Sequence, residues 1–195
     1  MPEYGLSRQR IIEEALALLN EEGLEGVNLR SLAQRLGIRA PSLYHHFASK
    51  SDLLAAMVEC IFDAGLDSVP PHRHWQDWMR AFGEAMWKVQ RETRDFFRLI
   101  GTANLGDAQL ERTMGRVTQA LSGVDMEMEE AMRIQSSVQA IVLGWSVFSH
   151  APYAEKLGRT LDYETLVIEN LELLIVGEAT KLESARQLRA VGGRD

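Results

Sequence analysis

Along most of this chain apolar residues return every three or four positions, and no window alternates apolar with polar as a strand would. The pattern predicts an all-α protein. Ser7 is placed to cap a first helix whose broad apolar face carries Ile11, Ile12, Ala15, Leu16, Leu18 and Leu19, with Gly23 stopping it. Asn28 caps a short second helix, Leu29 to Leu36, which turns Leu29, Leu32, Ala33 and Leu36 inward and ends at Gly37. Pro41 has a fixed φ and no N–H to lose, so it suits the first turn of a third helix, about Pro41 to Phe47. Ser51 is expected to cap a fourth, through Leu53, Leu54, Met57, Val58, Ile61 and Phe62.

Val69-Pro70-Pro71 is the main break. Beyond it the spacing predicts a helix from about Trp75 to Gln90, a shorter one around Asp95 to Ile100, and a loop over Gly101 to Gly106. Asp107 starts a helix toward Leu121, and Asp125 opens a long apolar one to about Ser149. Pro152 and Gly158 punctuate before a last helix, about Asp162 to Arg189, with Gly177 as a point of interruption. Two domains are expected: residues 1–50 as a three-helix head and 51–195 as a larger helical bundle.

Charge sharpens that division. The chain carries a net −7, which argues against a polyanionic partner until its distribution is examined. From Glu25 to Lys50 the only acid is Glu25, against Arg30, Arg35, Arg39 and Lys50, with His45 and His46 beside them. A module that faces phosphates must be locally basic, because counterion release supplies much of the binding free energy. Cys60 is the only cysteine, so no internal disulfide forms and a reducing compartment fits. The most apolar stretch, Ala140 to Phe148, is far short of the ~20 residues a membrane span needs. Met1 to Leu6 lacks the layout of a secretion signal. A cytoplasmic protein is the expectation.

Two short helices joined at Gly37 form a helix-turn-helix candidate between Asn28 and Phe47. Such a unit needs apolar side chains that brace the second helix. Leu32, Ala33, Leu36, Ile38, Leu43 and Phe47 meet that need. It also needs polar or basic groups at the tip that enters the ~12 Å major groove, and Arg39, Ser42, Tyr44, His45 and His46 meet that one, with Lys50 just beyond. Arg35 reads as part of a solvated helix face. The run LGIRAPSLYHHFASKSDLL, with EEGLEGVNLRSLAQR upstream, resembles the DNA-binding domain of tetracycline-repressor (TetR) family regulators, over about Ser7 to Ala64. The resemblance implies that Arg30 contacts backbone or a neighbouring base, that Ser42 and Tyr44 contact phosphate or base edges, and that His46 and Lys50 bond phosphates. It implies further that Pro41 packs on a thymine methyl and that Arg39, Ala40 and His45 occupy the positions that choose sequence. A guanidinium at Arg39 can read guanine bidentately, worth about 1–3 kcal/mol of discrimination.

The remainder holds all four tryptophans, Trp75, Trp78, Trp87 and Trp145. Bulky aromatics mixed with methionines on helices form an ordinary core or line an adaptable apolar cavity. The resemblance favours a cavity, with Trp78, Phe82, Met86, Phe97, Ile100, Trp145 and Phe148 as candidate lining. The stretch WQDWMRAFGEAM and the Gly101-Thr102 turn are loosely similar to the tetracycline-binding core. Ile100 stands where that core would carry a metal-liganding His, and Phe82 where it would carry a polar amide, so an apolar effector is expected rather than a tetracycline–magnesium complex. No cofactor or metal is expected: His45 and His46 point about 100° apart on a helix, and His72-x-His74 sits in a loop beside prolines.

A homodimer is expected, because one recognition helix covers too few base pairs and a palindrome needs two about 34–36 Å apart. Ala140 and Gly144 on the long helix, with Leu166, Leu173 and Leu174 on the last, are the expected interface. The function expected is a ligand-responsive repressor of palindromic operator DNA. The alternatives are an architectural DNA-binding protein without a ligand and an all-helical enzyme, though no Gly-rich phosphate loop, catalytic triad or metal motif supports the last.

Overall fold

The computed structural model describes residues 6–192, the last four as helical backbone, and among them there are helices and no strands. In chain order these are α1 Arg8–Glu22, α2 Leu29–Leu36, α3 Ala40–Leu43, α4 Lys50–Asp67 and α5 Trp75–Glu92, then α6 Phe96–Thr102, α7 Asp107–Leu121, α8 Met128–Ser149, α9 Ala154–Leu157 and α10 Tyr163–Gly192. They form two compact units. The first comprises residues 1–64 and 89–114, the second 65–88 and 115–195. Helices α4, α5 and α7 each run unbroken from one unit into the other.

The first unit is built on α1. Ser7 accepts the Arg10 N–H at 3.2 Å and so satisfies one of the orphan donors at the helix start. Ile11, Ile12, Ala15, Leu18 and Leu19 are buried, and with Leu24, Val27, Leu32, Leu43, Phe47, Leu53, Leu54 and Met57 they make a continuous apolar core. Arg35 is exposed on α2, as a solvated face requires, and is also engaged there. Its guanidinium bonds Glu14 at 2.8 Å and Glu21 at 2.6 Å, tying α2 to α1. Glu21 is held below the usual carboxylate range by the hydrogen bonds from Arg35. The end of α1 is fastened from the far side of the sequence: Asp95 accepts the Leu24 N–H at 2.9 Å, and Arg94 reaches the Glu21 carbonyl at 2.7 Å.

In the second unit α5, α8 and α10 pack together. A Cβ at Gly83 would lie 2.6 Å from Leu171 Cδ1 and 3.2 Å from Val138 Cγ1, so a larger residue there would displace the Leu171 side chain where the three helices meet. Trp78 and Phe82 stack at 5.0 Å, and Met79 and Met86 are buried beside them in the sequence of α5. Glu178, buried on α10, is held by Arg133 of α8 at 2.5 Å and by Lys181 at 3.0 Å. Arg80 bonds Glu172 at 2.6 Å. On the other side of the α8–α10 pair, apolar groups stay in water: Val147 is 47% exposed, Ile168 45%, Val176 52% and Leu173 73%. Ala140 and Gly144 are exposed on the same face of α8.

Several elements depart from the periodicity. Ser49, not Ser51, caps α4, accepting the Asp52 N–H at 3.1 Å. Gly101 and Thr102 close α6 instead of forming a loop, because α6 continues until the Ala103 N–H bonds Leu99 O at 2.9 Å. Asp125 opens no helix. It accepts the Trp75 N–H at 3.1 Å and His74 Nδ1 lies 3.0 Å from its other oxygen, so it caps α5 across the fold while α8 starts later, at Met128. The spacing gave no sign of α9. Gly177 leaves α10 unbroken, since nearest-neighbour hydrogen bonding outweighs a single glycine, whose helix cost is only about 1 kcal/mol.

Candidate nucleic-acid interface

The segment Asn28–Phe47 is held by local chemistry that its sequence dictates. Asn28 Oδ1 accepts the N–H groups of Arg30 (3.1 Å) and Ser31 (2.9 Å), while its amide donates to Ser31 Oγ at 2.8 Å. Gly37 ends α2 with φ +67°, a left-handed conformation natural to glycine, and Ile38 N–H returns to Ala33 O at 3.0 Å. The chain then leaves extended at Arg39 and re-enters a helical turn with Pro41 in its first positions. That turn is shorter than the spacing predicts. Only Ala40–Leu43 is helical, and Tyr44, His45 and His46 form a tighter turn closed by His46 N–H to Leu43 O at 2.9 Å. Phe47 lies fully in the core, and its N–H also returns to Leu43 O, at 2.9 Å.

Leu43 and Phe47 are both fully buried. Arg8 fixes them from outside: its guanidinium lies 4.1 Å above the Phe47 ring centroid, bonds the His46 carbonyl, and sits 3.6 Å from Asp52. Asp52 in turn accepts the Ala48 N–H at 3.2 Å. Arg8 was not among the residues read from the sequence. Its partners lie near position 46, and nothing local marks a contact across 38 residues.

Against this braced inner side stands a polar outer one. Arg30, Arg39, Pro41, Tyr44, His45 and Lys50 are exposed, Tyr44 by 58%, while Ala40, Ser42 and His46 are half-buried. Arg30, Arg39 and Lys50 have no acidic partner among the described residues. Other arginines of the first unit are engaged, Arg35 as above, Arg98 with Glu25 at 2.5 Å and Arg112 with Glu59 at 2.8 Å, while Arg10 on α1 is exposed with no acidic partner among the described residues. The Arg112 hydrogen bond holds the Glu59 carboxyl below its ordinary range. Free cations on a rigid rim keep their charge available for phosphate oxygens. Cys60, nearby on α4, is half-buried, and burial pushes its thiol up, away from the reactive thiolate.

The candidate ligand residues fall into separate groups. Trp78, Phe82 and Met86 are buried on α5. Trp145 and Phe148 are half-buried on α8, their rings 5.5 Å apart edge to face. Phe97 and Ile100, half-buried on α6, belong to the first unit. Trp145 and Phe148 meet two aromatics that spacing did not single out: Tyr163 at 6.2 Å and 6.1 Å, and Tyr153 at 5.5 Å from Phe148. Tyr163 opens a different helix, so no repeat along α8 could point to it.

Comparison with known proteins follows the same division. Residues 11–57 match the model for bacterial regulatory proteins of the tetR family. The class E tetracycline repressor protein of Escherichia coli is 34% identical over 142 residues, 71% of this chain and 66% of that protein. The class C protein of the same organism is 42% identical over 73 residues, 37% of this chain and 33% of that protein. The chain thus spans between a third and two thirds of the length of these curated relatives. A possible TetR family transcriptional regulator from Streptomyces coelicolor A3(2) superposes with TM-score 0.67 and 25% identity, covering 95% of this chain and 100% of the other. A TetR variant from Acinetobacter baumannii AYE, solved with minocycline, shares the fold at TM-score 0.69 and 24% identity, covering 88% of this chain and 92% of that one.

Proposed function

This chain belongs to the TetR family of bacterial regulatory proteins, and on that premise we propose that it is a ligand-responsive repressor. It holds palindromic operator DNA as a homodimer and releases it when a small, largely apolar molecule binds. Residues 1–50 form the DNA-reading head and 51–195 the part that binds effector and dimerises. It works in the cytoplasm and carries no catalytic step.

One observation carries this reading: a helical tip braced by two fully buried side chains, with three unpaired cations around it. The tip enters the major groove with Arg39, Ala40 and His45 toward base edges. Pro41 packs on a thymine methyl, while Arg30, Ser42, Tyr44, His46 and Lys50 position the backbone. Two copies are needed, and the exposed apolar groups on α8 and α10 supply the contact: Ala140, Gly144 and Val147 on one helix, Ile168, Leu173 and Val176 on the other. Of the expected stripe only Leu173 stands out, since Leu166 and Leu174 are half-buried. The effector is held in the second unit among Trp78, Phe82, Met86, Trp145 and Phe148, whose aromatic and thioether groups repack readily around an apolar guest. Phe97 and Ile100 have no part in that grouping. Effector binding reaches the head along α4, which is continuous from Lys50 into the second unit. The effector must bind the DNA-incompetent state more tightly, since equal affinity for both would shift nothing.

Selection of duplexes from a random pool, followed by anisotropy titration at fixed salt, tests the reading. Arg39→Ala relaxes preference at one base position by about 1–3 kcal/mol. Lys50→Ala weakens all sequences alike and lowers the salt slope by about 1. If no duplex is preferred over random DNA, the architectural reading takes its place.

A further inference from the structure

The recognition turn is too short to hold itself. Only Ala40–Leu43 is helical, and one helical turn is far below the length at which a helix is stable alone. Its position therefore depends on what fastens its two ends. The leading end is tied by the Ile38 N–H to Ala33 O at 3.0 Å, and the chain then passes extended through Arg39. At the trailing end Leu43 O takes the N–H groups of His46 and Phe47, both at 2.9 Å, and Phe47 is wholly buried.

The His46 carbonyl stands where the segment turns toward α4. A carbonyl at the end of a helical segment finds no partner within that segment. Here the donor is the guanidinium of Arg8, 38 residues earlier. Arg8 makes two further contacts: its Cζ lies 4.1 Å from the Phe47 ring centroid, and its Nη2 lies 3.6 Å from Asp52 Oδ1. The other oxygen of Asp52 accepts the Ala48 N–H at 3.2 Å, and the Asp52 N–H donates to Ser49 Oγ at 3.1 Å. The first residue of α1 thus joins the trailing end of the recognition segment to the first turn of α4.

Arg8 is neither core nor a free cation. Its side chain is 44% exposed, so removing it opens no cavity. Its charge is already matched by Asp52, whereas Arg30, Arg39 and Lys50 have no acidic partner among the described residues. A cation paired with a carboxylate adds little to counterion release.

Resting on the DNA-binding reading above, we infer that Arg8 is a positioning residue for operator recognition. It sets the place of Tyr44, His45 and His46 against the duplex, through the His46 carbonyl and the Phe47 ring, without itself bonding a phosphate. Lysine cannot take over this work. An ammonium is a point charge that reaches the carbonyl or the carboxylate, whereas a guanidinium bonds along its edges while its face rests on a ring.

The test uses the full-length protein, a duplex selected from a random pool, and a random duplex of equal length. Anisotropy titrations run from about 50 to 200 mM salt, where phosphate contacts dominate the slope. Arg8→Met, which keeps an unbranched stem over Phe47, lowers affinity for the selected duplex at least about tenfold, the size of one hydrogen bond to a charged group. Affinity for random DNA changes by less than about threefold, and the salt slope keeps its wild-type value, because no phosphate contact is lost. Arg8→Lys stays at least about threefold below the wild type on the selected duplex. Far-UV circular dichroism at the assay temperature is the same for all three proteins.

A salt slope reduced by about 1, with Arg8→Lys restoring full affinity, would make Arg8 a phosphate contact and overturn the inference. So would an unchanged selected-duplex affinity in Arg8→Met, or equal losses on both duplexes. If Arg8→Met does not fold, Arg8→Lys decides alone, and wild-type affinity in that variant overturns the inference. A wild type that prefers no duplex sinks the regulatory reading and this inference together. A wild type with a preference that both variants keep sinks this inference only.

Discussion

The helix-turn-helix and the α8–α10 pair use similar apolar residues in opposite ways. In the first, Leu43 and Phe47 are wholly covered by their own chain, and the groups left outside are polar or cationic. In the second, Leu173, Val176, Ile168 and Val147 remain in water although a tight core lies on the inner side of the same helices. A contiguous exposed apolar patch is uncommon on a monomer and marks a surface that another molecule covers. The head is thus complete as a folded object and incomplete only in charge. In the body the buried Glu178 is paired, and what stays uncovered on the α8–α10 pair is apolar.

Substitutions that exchange these conditions break the contrast. Phe47→Ala should be the most damaging, costing about 3–5 kcal/mol because it opens a cavity under the recognition turn and removes the surface on which Arg8 rests. Thermal denaturation would register it, and a loss below about 1 kcal/mol would mean that the turn is not braced as described. Leu173→Glu leaves the fold of one chain intact and should produce monomers in light scattering, with operator affinity reduced by at least about 100-fold as the bivalent advantage disappears. An unchanged dimer would move the interface elsewhere. Asn28→Ala removes two hydrogen bonds to the start of α2 and should cost about 1 kcal/mol, seen as a lowered melting temperature with unchanged oligomeric state.

The smallest effect concerns acid. Arg133 and Lys181 hold the Glu178 carboxyl below its ordinary range. A depressed carboxylate contributes stability that is present above its unfolded pKa and is lost as pH falls through the folded value. Glu178→Gln should therefore reduce stability near neutral pH and flatten the fall below about pH 4.5. Denaturant titrations at several pH values check the sign, and a variant with the same acid limb as the wild type would contradict it.

Much of the head was legible because its determinants are local. Ser7, Asn28, Gly37 and Pro41 act within four residues of themselves, through capping bonds or a fixed φ, so α1 and α2 fall where the pattern puts them. The exposed positions of the recognition segment followed from the same periodicity once Leu43 and Phe47 were assigned inward. Its length did not: only Ala40–Leu43 is helical, and apolar spacing does not separate a regular turn from the tighter one over Tyr44 to His46.

In the body the pattern marked helices but not neighbours. Asp125 looks like the start of α8 and caps α5 instead, through partners 50 and 51 residues away. The bulky side chains Trp78, Phe82 and Met86 stand out by size, whereas the buried polar atoms without a bond partner, on His72, Trp87, Gln139 and Ser146, are distinguished only by what fails to reach them. The chain alone decided that this protein is helical, where most helices begin, and that one short segment gathers positive charge. Tertiary packing decided which arginines are spent on carboxylates, which apolar stripe stays wet, and which polar atoms go unanswered. Those outcomes depend on distances between residues far apart along the backbone, and spacing in a sequence carries no measure of them.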